Sequence, residues 1–266
     1  MLPKQYEGLN FDGWEVVVGD GVYAALGESA VSTNDIETVH YNGISSELRA
    51  NTRRRRIMAH NITFKKIVDN NSLDYVHICG FKWRLPYLPT TDNFDFNAQT
   101  LEGGLFVWDG SSTRLDYGAG FQWVLNPWMD TFGAIQAWTG VNGGQWERVG
   151  YLTPDTQWHE IWLALDFYQG AAAMKIDGMS YPAYLAATPK PETWGPETAA
   201  RVQAEIISIY PEPDGIRAVH KAEFKEWFWL WEPPKRHQVF FTACSKLIPC
   251  VWPPCSMCLL PAQSGC

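Results

Sequence analysis

Cysteine is nearly missing from most of this chain. Of six cysteines, only Cys79 lies in the first 234 residues. One thiol cannot close an internal bridge, so that stretch is not a disulfide-held scaffold. Long apolar runs are missing as well: no stretch free of charge and proline approaches the roughly 18 residues a membrane helix needs. Basic charge is scarce, with 21 Lys and Arg against 29 Asp and Glu, a net charge of −8 and a pI near 5.2. Three of those cations, Lys235, Arg236 and Lys246, follow Pro234, where no acid occurs, which leaves 18 against 29, or −11, in residues 1–234. General nucleic-acid binding needs a basic footprint and is not expected. The chain has no Gly-x-x-x-x-Gly-Lys phosphate loop, no Gly-x-Ser-x-Gly elbow and no Gly-x-Gly-x-x-Gly after a strand, so nucleotide and acyl-transfer chemistry have no support. Its six histidines show no ligand spacing, and no metal ligands are assigned. Residues Met1 to Gly8 lack a basic segment leading into an apolar run. No signal peptide is expected from them, and an extracellular or periplasmic location would require a leader already removed.

What is abundant is aromatic: 14 Trp, 13 Phe and 11 Tyr in a chain that is 46% hydrophobic. Such residues suit pleated, half-buried surfaces and bury large areas. Period-2 alternation recurs, and long helical periodicity is scarce. Tyr75, His77, Cys79, Phe81, Trp83 and Leu85 share one face of a predicted strand, opposed by Val76, Ile78, Lys82 and Arg84. Asn97 to Trp108 predicts a strand broken or bulged at Gly103 and Gly104. Asp109 to Ser112 then turns the chain into a strand from Thr113 to Leu125. Phe132–Thr139 and Gln145–Leu152 form a second predicted hairpin, Thr156–Ile176 a third. A proline-rich loop spans 182–198, with a short helix expected from Pro196 to Gln203. Val202–Tyr210 and Arg217–Trp231 close the series, the last with Trp227, Trp229 and Trp231 on one face. Many short strands with turn chemistry between them predict an all-β, two-sheet antiparallel sandwich over residues 1–234.

The segment from Asp155 through Trp158, His159 and Trp162 to Asp166, followed by a turn and then Met174 to Gly178, resembles the late hairpin of concanavalin A-like and laminin-G-like jelly rolls. The alternation of Ala222 to Trp229 is similar to their closing strand. The resemblance implies a jelly roll. It leaves function open, because that fold hosts lectins, hydrolases, lyases and adhesion modules alike.

Sugar hydrolysis needs two carboxylates flanking the bond. The resemblance implies a Glu-x-Asp-x-x-Glu strand in the glucanases, and no such motif is present. Glu160 and Asp166 share a face, but six extended residues hold them roughly 20 Å apart. Ser46-Glu47-Leu48-Arg49 and Ile135-Gln136-Ala137-Trp138 resemble two elements of sandwich-type alginate lyases, which eliminate across uronic-acid polymers. Trp138 stands where that pattern has His, and His60 is the substitute candidate for proton transfer. Catalytic candidates are therefore Arg49, Gln136 and His60. A lyase built on them requires Arg49 and Gln136 on the same face of the sandwich.

Five arginines fall between Arg49 and Arg56, where Arg53 and Arg55 on one side could grip anions. A charged strand edge that discourages pairing is the plainer account. Trp83, Trp138, Trp158 and Trp162 could stack on sugar rings beside Gln136 and Glu160, although most tryptophans pack cores. Together these residues predict a carbohydrate-binding domain engaging a polysaccharide through an aromatic and arginine-lined concave face. Catalysis by a lyase or hydrolase on the same fold is the alternative, and a structural or adhesion module without glycan is the third. No cofactor is required, although turns such as Asp69-Asn70-Asn71 and Asp92-Asn93 could hold calcium. Residues 235–266 carry five Cys, four Pro and no acid. They are expected to be a disordered or non-native tail, with Cys255 and Cys258 as one Cys-x-x-Cys pair.

Overall fold

A computed structural model describes residues 4–18, 32–54, 60–69, 75–95, 99–108, 116–139, 145–166, 169–185, 199–212 and 214–233. Residues 1–234 make one compact unit. The remainder, residues 235–266, lies outside the described residues.

Among the described residues, fifteen strands in two antiparallel sheets build the unit. The first sheet contains β1 (Lys4–Gly8), β3 (Ile36–Tyr41), β4 (Ser45–Arg53), β6 (Val76–Arg84), β11 (His159–Asp166), β12 (Ala171–Ile176), β13 (Met179–Tyr181) and β15 (Arg217–Glu232). Its order is β13-β12-β11-β6-β15-β4-β3, with β1 also pairing β15. The second contains β2 (Glu15–Val18), β5 (His60–Asp69), β7 (Gln99–Trp108), β8 (Asp116–Val124), β9 (Ala134–Trp138), β10 (Trp146–Tyr151) and β14 (Ala199–Ser208). Its order is β10-β9-β8-β7-β14-β5-β2. The only helical element among the described residues is the 3-10 turn Thr33–Asp35, capped by Ser32. No described helix is long and apolar enough to cross a membrane.

The inner faces meet in an aromatic core. Phe81 and Trp83 of β6 pack against Phe121 of β8 at ring distances of 6.4 and 5.2 Å, which ties one sheet to the other. Leu48, Leu101, Leu105, Ile161, Leu163, Phe224 and Trp229 complete the core, each such burial stabilising by roughly 1.5–3 kcal/mol. The alternation read from Tyr75 to Leu85 is observed: His77, Cys79, Phe81 and Trp83 are all buried on that side. Burial pushes the Cys79 thiol well above its ordinary pKa.

Two sequence expectations fail locally. β7 runs without a bulge, paired residue by residue with β8 and β14 through Gly103 and Gly104. Gly103 is there for packing, since a Cβ would sit 2.9 Å from both the Phe81 and the Phe121 rings. Residues 199–203 are strand rather than helix, because Val202 and Ala204 bury in the core while Gln203 and Glu205 face away. A bulge that the alternation did not announce sits in β15. There the register against β6 shifts between Lys225 and Phe228, Glu226 takes a φ of 48°, and its N–H donates to the Leu9 carbonyl at 2.9 Å. The inward set passes from Ala222 and Phe224 to Trp227, Trp229 and Trp231 at that point.

Candidate functional site

The expected single face does not form. Its residues divide between two outer faces and the core. Trp83 is a core residue, wholly buried between the sheets, and is withdrawn as a ligand contact. Arg49 and Arg53 sit on β4 in the first sheet and Gln136 on β9 in the second. Both Arg49 and Gln136 point away from the core, hence to opposite sides of the molecule. The lyase constellation of Arg49 and Gln136 is not assembled. The side chain of His60 and all of Arg55 lie outside the described residues.

The outer face of the first sheet is an ion-pair lattice. Arg49 bonds Glu47 and lies 3.7 Å from Glu37. The Arg84 Nε donates to Glu223 at 2.7 Å, and Lys82 pairs with Glu226. Trp158 lies between two cations, with Arg84 at 4.7 Å and Lys225 at 4.6 Å from its ring. Trp162 packs on Phe228 at 4.5 Å, across Gly80, where a Cβ would meet that Phe228 ring at 2.6 Å. Arg49, Trp158 and Trp162 are thus engaged within the protein, and Glu160 lies on this same side.

The outer face of the second sheet is different. Register places Arg148 opposite Gln136, Gln136 opposite Gln122, Gln122 opposite Glu102, and Glu102 opposite Glu205. These five residues form one row across β10, β9, β8, β7 and β14. Leu101, Leu105, Phe121, Ile135, Ala204 and Ile206 fill the core from the same strands, so by strand alternation the row points outward. Although it lies on an outer face, its centre is sequestered: Glu102 is 9%, Gln122 8% and Glu205 3% exposed. The Gln122 amide donates to Gln136 Oε1, and the Gln203 amide to Glu205 Oε1. Burial first, and then the charge of Glu205, push the Glu102 carboxyl well above the ordinary carboxylate range.

The next row begins with Trp146 opposite Trp138, their rings 5.3 Å apart and steeply inclined. It continues along the sheet to Gly120, Gly104 and Gln203, with Gly104 opposite both Gly120 and Gln203. Gly104 and Gly120, both buried, separate the tryptophans from the carboxylates. Gln136 and Trp138, both singled out from the sequence, do come together here. Glu102, Gln122, Gln203, Glu205, Trp146 and Arg148 were missed. Their signal was two acids in otherwise apolar central strands: Glu102 between Leu101 and Leu105, and Glu205 between Ala204 and Ile206.

No protein-family model matches the chain, and no curated protein matches it in sequence. Solved structures do match. A non-specific endo-β-1,3(4)-glucanase of family GH16 superposes with a TM-score of 0.50 at 11% identity, over 87% of this chain and 92% of that one. The fold is a concanavalin A-like jelly roll. The basic winged bean lectin gives 0.44 at 10% identity, over 88% of this chain and all of that one. A sialidase gives 0.48 at 8% identity over 73% of this chain, which spans only 16% of the sialidase. At these identities the likeness is one of fold.

Two further clusters are structural. His159 bridges Asp155 at 2.9 Å and Asp177 at 2.7 Å, and Asp177 also accepts from the Glu160 N–H. The histidine thereby fastens the turn after β12 to the entry of β11. His220 lies buried with Tyr210 at 2.9 Å from its Nε2. Burial and the nearby Arg54 push its pKa down to about 3. Arg54 is itself held by Asp214 at 2.8 Å and lies over the Phe94 ring at 5.2 Å. No group of three or more potential metal ligands gathers among the described residues. In the Asp92-Asn93 turn the Asn93 side chain accepts from the Asp95 N–H at 3.0 Å.

Proposed function

We propose that this chain binds a polysaccharide on the outer face of its second sheet, with Trp138 and Trp146 as the stacking element and Gln122, Gln136 and Gln203 as the hydroxyl-reading groups. The observation that carries this reading is the sequestered polar row on an outward face, bordered by glycines and an indole pair. Amides both donate and accept, which matches sugar hydroxyls. Indole faces match the apolar C–H faces of the rings. Strand spacing of about 4.8 Å puts successive side chains of the row within reach of one sugar ring or its neighbour, so a linear polymer can lie across the strands. The outer face of the first sheet offers charge instead, in the ion pairs of Arg49 with Glu47, Lys82 with Glu226 and Arg84 with Glu223. The fold is shared with a glucan-cleaving enzyme, and glucans are the first polymers to try.

Affinity electrophoresis through gels containing soluble neutral glucans tests the proposal. Retardation of the wild type, lost in Trp138→Ala and kept in Trp162→Ala, is the expected result. Equal mobility of all three proteins in every gel would overturn it.

A further inference from the structure

We infer that polysaccharide binding on the second sheet is proton-linked through His159, whose imidazolium holds the β12–β13 hairpin behind the strand that carries Trp146. This rests on the polysaccharide reading above and adds a regulatory group to it. His159 is 5% exposed. Each of its ring nitrogens faces a carboxylate oxygen, Nδ1 that of Asp177 at 2.7 Å and Nε2 that of Asp155 at 2.9 Å. A neutral imidazole has one N–H and one lone pair, so it can donate to only one of two ionised carboxylates. Donating to both takes the doubly protonated ring. Backbone bonds fix the two acceptors in place: Asp177 accepts from the Glu160 N–H at 2.8 Å and Asp155 from the Gln157 N–H at 2.7 Å.

Asp177 and Gly178 form the two-residue turn between β12 and β13, with φ of 51° and 79°. A residue other than glycine keeps that conformation only where its surroundings hold it. Three bonds to the start of β11 do so: the His159 contact, the Glu160 N–H to Asp177 Oδ1, and the Asp177 N–H to the Glu160 carbonyl at 2.9 Å. β13 pairs over three residues, all of them on β12, so the turn is its anchor. The charged groups that face His159 are Asp155 and Asp177. β6 presents Trp83 opposite it, and β8 presents the Trp123 ring at 4.8 Å. Neither indole titrates, and Glu160, Lys82 and Arg84 lie on the outer face of the sheet by strand alternation.

The hairpin in turn backs the binding face. The Tyr181 ring lies against Gly150 of β10, where no Cβ would fit, and the Tyr184 hydroxyl donates to Glu147 at 3.1 Å. Glu147 opposes Ala137 and Gly150 opposes Ile135, both core residues. These positions face inward, while Trp146 and Arg148 face outward. The tyrosines therefore stand directly behind the indole and the guanidinium of β10. Among the described residues β10 pairs with β9 alone, and its register shifts between Arg148 and Gly150. Its position, and with it the spacing of Trp146 from Trp138, depends on that backing. Loss of the His159 proton sets a lone pair against a carboxylate, frees the turn and lets Trp146 move away from Trp138. The contribution is present while the ring is doubly protonated and is lost as the pH rises.

The test runs the full chain in the glucan affinity gels at pH 5.5 and at pH 9, at one salt concentration. The wild type should bind about fivefold or more weakly at pH 9, the lower end of ordinary coupling between sites. His159→Gln should bind at the weaker level at both pH values, because its amide carries no titrating proton. Glu102 and the other titrating groups are common to both proteins, so the difference belongs to His159. Tyr181→Ala should flatten the response in the same way, and Tyr181→Phe, which keeps the ring, should retain it. Nitrogen-15 spectra of the wild-type imidazole read the ring without any variant or ligand: both nitrogens should carry protons at pH 5.5 and one of them at pH 9. A single N–H at pH 5.5 would overturn the proposal and leave binding standing, as would the same pH response in the wild type and His159→Gln. No retardation at either pH in any glucan would remove the underlying reading and this one with it.

Discussion

Glu102 and His220 give the protein two opposite dependences on pH. His220 is held neutral, its pKa depressed to about 3 in the folded state against roughly 6.5 for a free histidine. Between those values the unfolded chain binds a proton that the folded one does not. Stability from this residue is therefore complete above pH 6.5 and falls as the pH drops, by about 1.4 kcal/mol per unit. Urea midpoints measured from pH 7 to pH 4 should decline, with a shallower slope in His220→Gln. Glu102 has the reverse sign. Its folded pKa is raised, so its contribution is complete below the ordinary carboxylate value and is lost as pH rises through the folded value. Replacing it with glutamine keeps the shape and removes the charge. Glu102→Gln should raise the melting temperature at and above neutral pH, as read by calorimetry, and no gain at pH 8 would contradict the assignment. A residue that costs stability where it stands is a common mark of a site kept for function. The titration of neither residue was legible in the sequence, because it depends on burial and partners that only the tertiary pairing creates.

At the scale of the strand, what alternation could show was shown. The inward set of β6 and the run of Trp227, Trp229 and Trp231 were read from period 2 alone, since a sandwich sorts side chains by parity. The bulge at Glu226 was not, because one inserted residue changes parity without any composition signal. Its setting explains it. On one side β15 pairs β4 over Arg217–Phe224 and β1 over Trp227–Trp231, so the bulge lies where the partner changes. The Gly103-Gly104 pair misled in the other direction, a packing requirement resembling a break. Gly80 makes the same demand from the first sheet, where a Cβ would lie 2.5 Å from the Ile161 carbonyl and 2.6 Å from the Phe228 ring. Gly80→Ala should destabilise by about 1–3 kcal/mol through overpacking, measurable by denaturant unfolding. A change below about 0.5 kcal/mol would mean that β6 and β11 separate more easily than their pairing indicates.

Across the whole molecule, the pairing of β1 with β15 joins residues more than 220 positions apart, Tyr6 opposite Trp229. Tyr6 also stacks on Trp231 at 5.1 Å. Removing residues 1–8 should bare that edge of β15, lower the melting temperature and promote self-association through the unpaired edge, which light scattering would register. The candidate site, too, is a product of the whole fold. Its row draws on β7, β8, β9, β10 and β14, and no local motif could announce it, because each strand donates only one or two of its residues. Gln136 and Trp138 were visible from a single strand. The carboxylate pair became visible only when β14 was placed beside β7.

The two outer faces also differ in what salt can do to them. Charges on the first sheet attract and repel over a distance that shrinks to about 10 Å at 0.1 M ionic strength, whereas amide hydrogen bonds and stacked rings hardly respond. The molecule thus has one side that electrolyte can mute and another that it cannot. A polymer held by the glutamines and tryptophans of the second sheet should keep its affinity from 20 mM to 500 mM sodium chloride, and one held by Arg49 and its neighbours should let go. A simple salt titration therefore tells which side faces the ligand.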